Sequence, residues 1–208
     1  MTLNKPLPCL LLCLAIVGTW SESVYAQERE RLISPIRSGI QPTMIFPGGA
    51  YAPTNLVLVE VIEFKHAGVP VTPGKPFGAG EDWLSQLTVR VKNLSDTPLP
   101  HISMAFALPE AKYVDRGRQY SMGFTLEHKA GTRVKQGDPE MKAVMPGEEV
   151  ELVSLEPSAV IRREIEKRTG LTSITLVQTG GDVSVFFEDG GRWIGSNLQI
   201  RATVKPSP

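Results

Sequence analysis

Between residues 56 and 204 apolar and polar side chains alternate in short runs, and the alternation changes period only once. Leu56 to Phe64 (LVLVEVIEF) is apolar on both faces, with Val57, Val59 and Val61 on one and Leu56, Leu58, Ile62 and Phe64 on the other. That pattern predicts a strand covered on both sides. From Trp83 to Lys92, Leu87, Val89 and Val91 alternate with Thr88, Arg90 and Lys92, which predicts a half-buried second strand. The turn residues Asn93 to Pro98 close it, since Asn, Ser and Asp bond their own backbone there. His101 to Leu108 and Tyr120 to His128 repeat the period of two, with Ile102, Met104, Phe106 and Leu108, then Tyr120, Met122, Phe124 and Leu126, pointing inward.

Met145-Pro146-Gly147-Glu148 predicts a turn into a fifth strand carrying Val150 and Leu152. Pro157 to Thr169 then places Ile161 and Ile165 on one face among charged residues, a helical spacing. Pro157 suits the first turn, Lys167 and Arg168 suit the last, and Gly170 suits the stop. Period two returns in a sixth strand (Ile174, Leu176) and a seventh (Val183, Val185, Phe187). Glu188-Asp189-Gly190-Gly191 predicts a hairpin turn into Arg192-Trp193-Ile194, and Leu198, Ile200, Ala202 and Val204 predict a last edge strand. Short strands with regular turns and no βαβ rhythm predict a mainly β chain, a β-sandwich of about eight strands with one short crossover helix. The predicted core is Val59, Leu87, Val89, Val91, Ile102, Met104, Phe106, Phe124, Val150, Leu152, Ile174, Val183 and Val185.

The N-terminus follows a different logic. Lys5 precedes an apolar run from Leu7 to Trp20, and Val24-Tyr25-Ala26 ends in the small-residue pattern that signal peptidase reads. The run is shorter than the roughly 20 residues a membrane span needs. Residues 1–26 are therefore expected to be a secretory signal peptide, residues 27–55 an extended or disordered lead-in rich in Pro and Gly, and residues 56–204 a single domain. Cleavage after Ala26 removes both cysteines, Cys9 and Cys13, so the mature chain would hold no disulfide, thiolate metal site or cysteine nucleophile. In a two-membrane bacterium the product would be periplasmic or extracellular, with no membrane span once the signal is removed.

Three stretches carry a resemblance. Leu87 to Asp96 (LTVRVKNLSD) resembles a strand and turn of the immunoglobulin-like and fibronectin-III-like modules of exported bacterial proteins, and Met145 to Leu152 (MPGEEVEL) resembles a later turn and strand of such modules. Val185 to Gly195 (VFFEDGGRWIG) resembles a closing hairpin of small secreted bacterial proteins. The resemblance implies an immunoglobulin-like sandwich and brings no catalytic residues with it.

The chain carries 22 basic and 22 acidic residues, and this neutrality argues against nucleic acid as a partner. His66, His101 and His128 are not spaced to share a metal on one strand or turn, so no metal or other cofactor is expected. No Gly-x-Ser-x-Gly elbow, His-Glu-x-x-His pair or phosphate loop occurs. Asp182, Glu188 and Asp189 lie close in sequence, but turn and alternation account for the last two. The sequence thus predicts a protein that catalyses nothing and binds an envelope or extracellular protein. Its binding surface is expected on the long loops 65–82 and 129–147, through Lys75, Phe77, Arg133, Lys135 and Lys142. The alternative is a carbohydrate-binding or carbohydrate-processing sandwich in which Trp83 and Trp193 stack on sugar rings beside the acids near Asp182. Asn93-Leu94-Ser95 also matches a glycosylation sequon, which the turn explains equally well.

Overall fold

The computed structural model describes residues 28–35 and 41–196. The signal peptide expected over 1–26 and the last strand expected over 198–204 lie outside the described residues. What is described is mainly β. The strands are β1 (Arg29–Pro35), β2 (Thr43–Ile45), β3 (Tyr51–Pro53), β4 (Val59–His66), β5 (Val69–Val71) and β6 (Phe77–Ala79). After a short 3-10 turn at Trp83–Gln86 come β7 (Leu87–Asn93), β8 (His101–Asp115), β9 (Arg118–Lys129) and β10 (Glu149–Leu152). Helix α1 (Ser158–Thr169) leads to β11 (Leu176–Phe186) and β12 (Arg192–Ser196).

The smaller sheet has the order β10-β7-β4-β5 and is antiparallel throughout. In the larger sheet β11 is central. One edge of β11 pairs with β8, which in turn pairs with β9. The other edge is shared: Asp182–Phe186 pairs with β12, and Leu176–Thr179 pairs in parallel with β1. From there β12 continues to β2 and β3, and β1 to β6. Helix α1 connects the small sheet to the large one, as the sequence predicts for a crossover.

Both sheets turn their apolar face to one core. Leu87, Val89 and Val91 from the small sheet and Ile102, Met104 and Leu126 from the large one are fully buried, each worth about 1.5–3 kcal/mol of transfer free energy. Phe64 of β4 meets Phe106 of β8 edge to face across the gap, with ring centroids 6.4 Å apart. The solvent face of the small sheet carries an ionic ladder in which Lys65 bonds Glu151 at 2.6 Å and Arg90 bonds Glu63 at 2.8 Å. Of the core expected from sequence, Val150 alone is only partly buried, because β10 is an edge strand.

Four expectations need correction. The lead-in expected over 27–55 supplies three strands, and Ile33 of β1 is buried in the core. The loop expected over 65–82 contains β5 and β6. The strand at Leu56–Phe64 is not covered on both sides: a bulge between Val61 and Glu63 shifts the register, so Val59, Val61 and Phe64 all face the core while Ile62 is exposed. The sixth and seventh strands are one strand, β11, with an irregularity between Thr179 and Val183.

Candidate functional site

The feature that leaves the globular body is a β8–β9 arm. β11 accompanies β8 only from His101 to Ala107, whereas the β8–β9 pairing runs on to Asp115 and Arg118. A bulge between Leu108 and Lys112 absorbs Pro109, which cannot donate to the ladder. Glu110, displaced by that bulge, accepts hydrogen bonds from the Thr175 amide at 2.9 Å and from the Thr175 hydroxyl, which anchors the base of the arm. The tip is a two-residue turn with both residues at positive φ, Arg116 at 48° and Gly117 at 75°, the hand that suits a twisted hairpin.

The arm exposes apolar surface. Val114 is 71% exposed and Tyr120 is 42% exposed. Tyr113 and Tyr120 lie opposite each other in the register and stack at 5.7 Å, and Arg168 of α1 caps the Tyr113 ring at 5.7 Å. Lys112, Arg116 and Arg118 make no salt bridge among the described residues, so the tip is cationic. Tyrosine and arginine set in apolar surroundings are the side chains on which protein interfaces concentrate their binding energy.

Beside the arm runs a groove of about 240 Å³, bounded by β9, the segment 154–156 and α1. Met122, Phe124, Ile161 and Ile165 form its apolar floor. Its charged lining residues are Glu127, Glu156 and Glu164, with no lysine or arginine among them. Helix α1 is fixed there by burial of Ile161 and Ile165, by a Glu164–Arg168 pair at 3.2 Å, and by Gly170, whose φ of 75° lets its amide bond the Glu166 carbonyl at 2.8 Å. A second cleft of about 30 Å³, near Glu81, Asp82 and Ile174, has room for about one water.

The side chains with chemical potential elsewhere are engaged in structure. His101 bonds Glu127 at 3.0 Å and stacks on Phe186 at 4.6 Å, and Arg192 lies 4.8 Å above the other partner in that stack, the Phe186 ring. Burial pushes the His101 ring below its ordinary value, and Glu127 offsets this only in part. His128 bonds the Lys142 carbonyl at 2.8 Å, and the Asp189 carboxylate accepts the Gly191 amide at 2.7 Å within the expected turn. Among the described residues no cluster of three or more His, Cys, Asp or Glu is placed to hold a metal. Asn93, in the sequon, is fully buried; its amide donates to the Thr97 and Val144 carbonyls, each at 2.9 Å, and its carbonyl accepts from the Ser95 amide and hydroxyl. That network leaves no room for a glycan.

The residues expected to bind do not form one surface. Arg133, Lys135 and Lys142 are exposed on a loop that folds back on itself through Gly131–Met141 and Met141–Thr132 backbone bonds. Lys75 is exposed just before β6, and β6 and β9 lie at opposite ends of the path β6-β1-β11-β8-β9. Four strand spacings of about 4.8 Å separate them. Phe77 is half-buried against Trp83 at 5.6 Å and His66 at 5.5 Å, so it does not reach outward. The glycan platform is likewise corrected: Trp83 and Trp193 are both fully buried, with indole N–H groups bonded to the Ile174 carbonyl at 2.8 Å and the Leu56 carbonyl at 3.2 Å. Neither presents a ring face to a sugar.

The arm is what the sequence reading missed. Its signal was present in Asp115-Arg116-Gly117-Arg118, a turn between two tyrosines, but Pro109 masked the strand leading into it. The chain matches no family model, no curated protein and no solved structure at a significant level.

Proposed function

We propose that the protein is an exported, non-catalytic domain of immunoglobulin-like sandwich type that works by binding another protein, with the β8–β9 arm as its contact surface. The observation that carries this reading is the arm itself. Its base is tied to the core through Leu108 and Ala111, whereas its outer part exposes Val114 and Tyr120, with Tyr120 stacked on the half-buried Tyr113 beside unpaired cations, the composition of an interface. Export rests on the charged start, apolar run and Val24-Tyr25-Ala26 ending of the sequence. The non-catalytic reading rests on the use of His101, His128 and Asp189 as structural partners. Resemblance to immunoglobulin-like modules supports the sandwich type.

The test replaces Tyr113, Val114 and Tyr120 with serine in the full chain. We expect the fold to persist, because Val114 and Tyr120 are exposed and Tyr113 is only partly buried, while retention of the binding partner is lost. Lys75→Glu, on the far edge of the sheet, should leave retention unchanged. Retention that survives the triple substitution would overturn the reading.

A further inference from the structure

Sheet edges expose unpaired backbone groups, and the edges of this fold are treated unequally. Among the described residues, β3, β5 and β6 are three residues long and β10 is four, and β3 and β5 each contain a proline. Short strands and prolines are the ordinary ways of blunting an edge. β9 is the exception, with twelve residues and no proline. Its partner on one side is β8; on the other side, among the described residues, only Glu127 is bridged, through reciprocal bonds with Val153 at 2.8 and 3.0 Å.

Those two bonds fix the direction of the rest of the strand. If the Glu127 amide and carbonyl point away from β8, a period of two points those of Thr125, Gly123, Ser121 and Gln119 the same way. Gln119, Ser121 and Gly123 are exposed and Thr125 is half-buried, and Gly123 and Thr125 line the open groove whose far wall is α1. The open edge is bounded at one end by the Arg116-Gly117 turn and at the other by the Val153 bridge.

The charge along this edge is polarised. Lys112, Arg116 and Arg118 outnumber Asp115 at its start, and Glu127, which also bonds His101, lines the groove at its end with Glu156 and Glu164. Glu164 is paired with Arg168, whereas Glu156 makes no salt bridge among the described residues. A strand that is basic at one end and acidic at the other is complementary to an antiparallel copy of itself.

We propose that two copies of this chain associate through antiparallel β9–β9 pairing about a two-fold axis near Ser121. This rests on the reading of the arm as a contact surface and names the partner there as a second copy. With Ser121 opposite Ser121, Gln119 faces Gly123 and Gly117 faces Thr125, so each turn ends just short of the other copy's Val153 bridge. Arg116 and Arg118 of one copy then approach the carboxylates of the other's groove, and Tyr120 lies opposite Met122, a favourable sulfur–aromatic pairing. The contact is self-complementary and closed, as two-fold association requires. Gly123 also keeps β9 tight against β8, because a Cβ there would come within 2.7 Å of the Phe106 carbonyl oxygen.

Sedimentation velocity of the full chain over a range of concentrations tests this. We expect a dimer population that rises with concentration, weakened at least about tenfold by Thr125→Pro, which removes an outward-facing amide without touching the β8 ladder. Because a proline variant can fail to fold, the second arm uses charge. Arg118→Glu alone should weaken the dimer, and Arg118→Glu with Glu156→Arg should restore it. A chain that stays monomeric at all concentrations, or a dimer indifferent to both Thr125→Pro and the charge exchange, overturns the proposal. Amide exchange at Gly123 and Thr125 already slow in the dilute monomer would also overturn it, since the edge would then be filled from within. If the chain is monomeric but the triple serine variant still loses a different partner, the dimer fails and the arm reading stands.

Discussion

Asn93 carries out at one position what a longer turn needs several residues to do. Its amide group satisfies two carbonyls from different segments while its oxygen holds Ser95. Asn93→Ala would remove the bonds to Thr97 and Ser95 and one of two donors to the buried Val144 carbonyl, which keeps the Leu99 amide at 2.9 Å. The change is expected to cost about 0.5–1.5 kcal/mol for each bond in urea unfolding. Gly195 is constrained differently: a Cβ there would overlap the indole of Trp193, so Gly195→Ala should destabilise by about 1–3 kcal/mol through overpacking. His101 links a residue to pH. Burial lowers its proton affinity in the folded chain, and burial acts on His66 in the same direction. The unfolded chain therefore binds protons at higher pH than the folded one, and unfolding takes them up as the solution is acidified. The stability from these rings is complete above the ordinary histidine range and is lost as pH falls through the lowered values. Urea midpoints should drop from about pH 7 to about pH 5, and His101→Gln should flatten that slope.

Elements show which physical signals a sequence carries. The strand at β7 was legible because Leu87, Val89 and Val91 alternate cleanly and nothing interrupts them. β1 was not, because one of its two inward positions is Arg31, a charged side chain that spoils the alternation. Arg31 is 1% exposed and is satisfied by the Ile174 carbonyl at 2.7 Å, the Ser173 hydroxyl at 3.1 Å and Glu81 at 3.4 Å. Those partners lie about 50 and 140 residues away and cannot be read from local spacing. The bulges hid β4 and β11 in the same way, by breaking the period without ending the strand. Register supplies the test at this scale. Ile62→Asp should leave the fold intact, whereas Val61→Asp or Val89→Asp should unfold it, since an unpaired buried charge costs several kcal/mol. The Ile174 carbonyl supplies another. It accepts from both Arg31 and Trp83, so Trp83→Phe alone should cost only about 1 kcal/mol of hydrogen bonding. Combined with Arg31→Met it should cost more than the sum of the two, because the carbonyl then loses both donors.

At the scale of the whole molecule, the candidate site was the least legible part. The fold buries Trp83 and Trp193 and sends the two long loops to opposite edges of one sheet. What the fold presents instead is an extension of a sheet, and its reach depends on β11 stopping alongside β8 at His101–Ala107. No local run of residues encodes where a neighbouring strand stops. The most direct test is a photo-crosslinking side chain placed at Val114 in the full chain, with the same side chain at Lys75 for comparison. We expect a discrete protein–protein adduct from position 114 that disappears when Tyr120→Ser is added, and none from position 75. An adduct of equal yield from position 75, or one from position 114 that ignores Tyr120, would contradict the arm as the surface through which this protein acts.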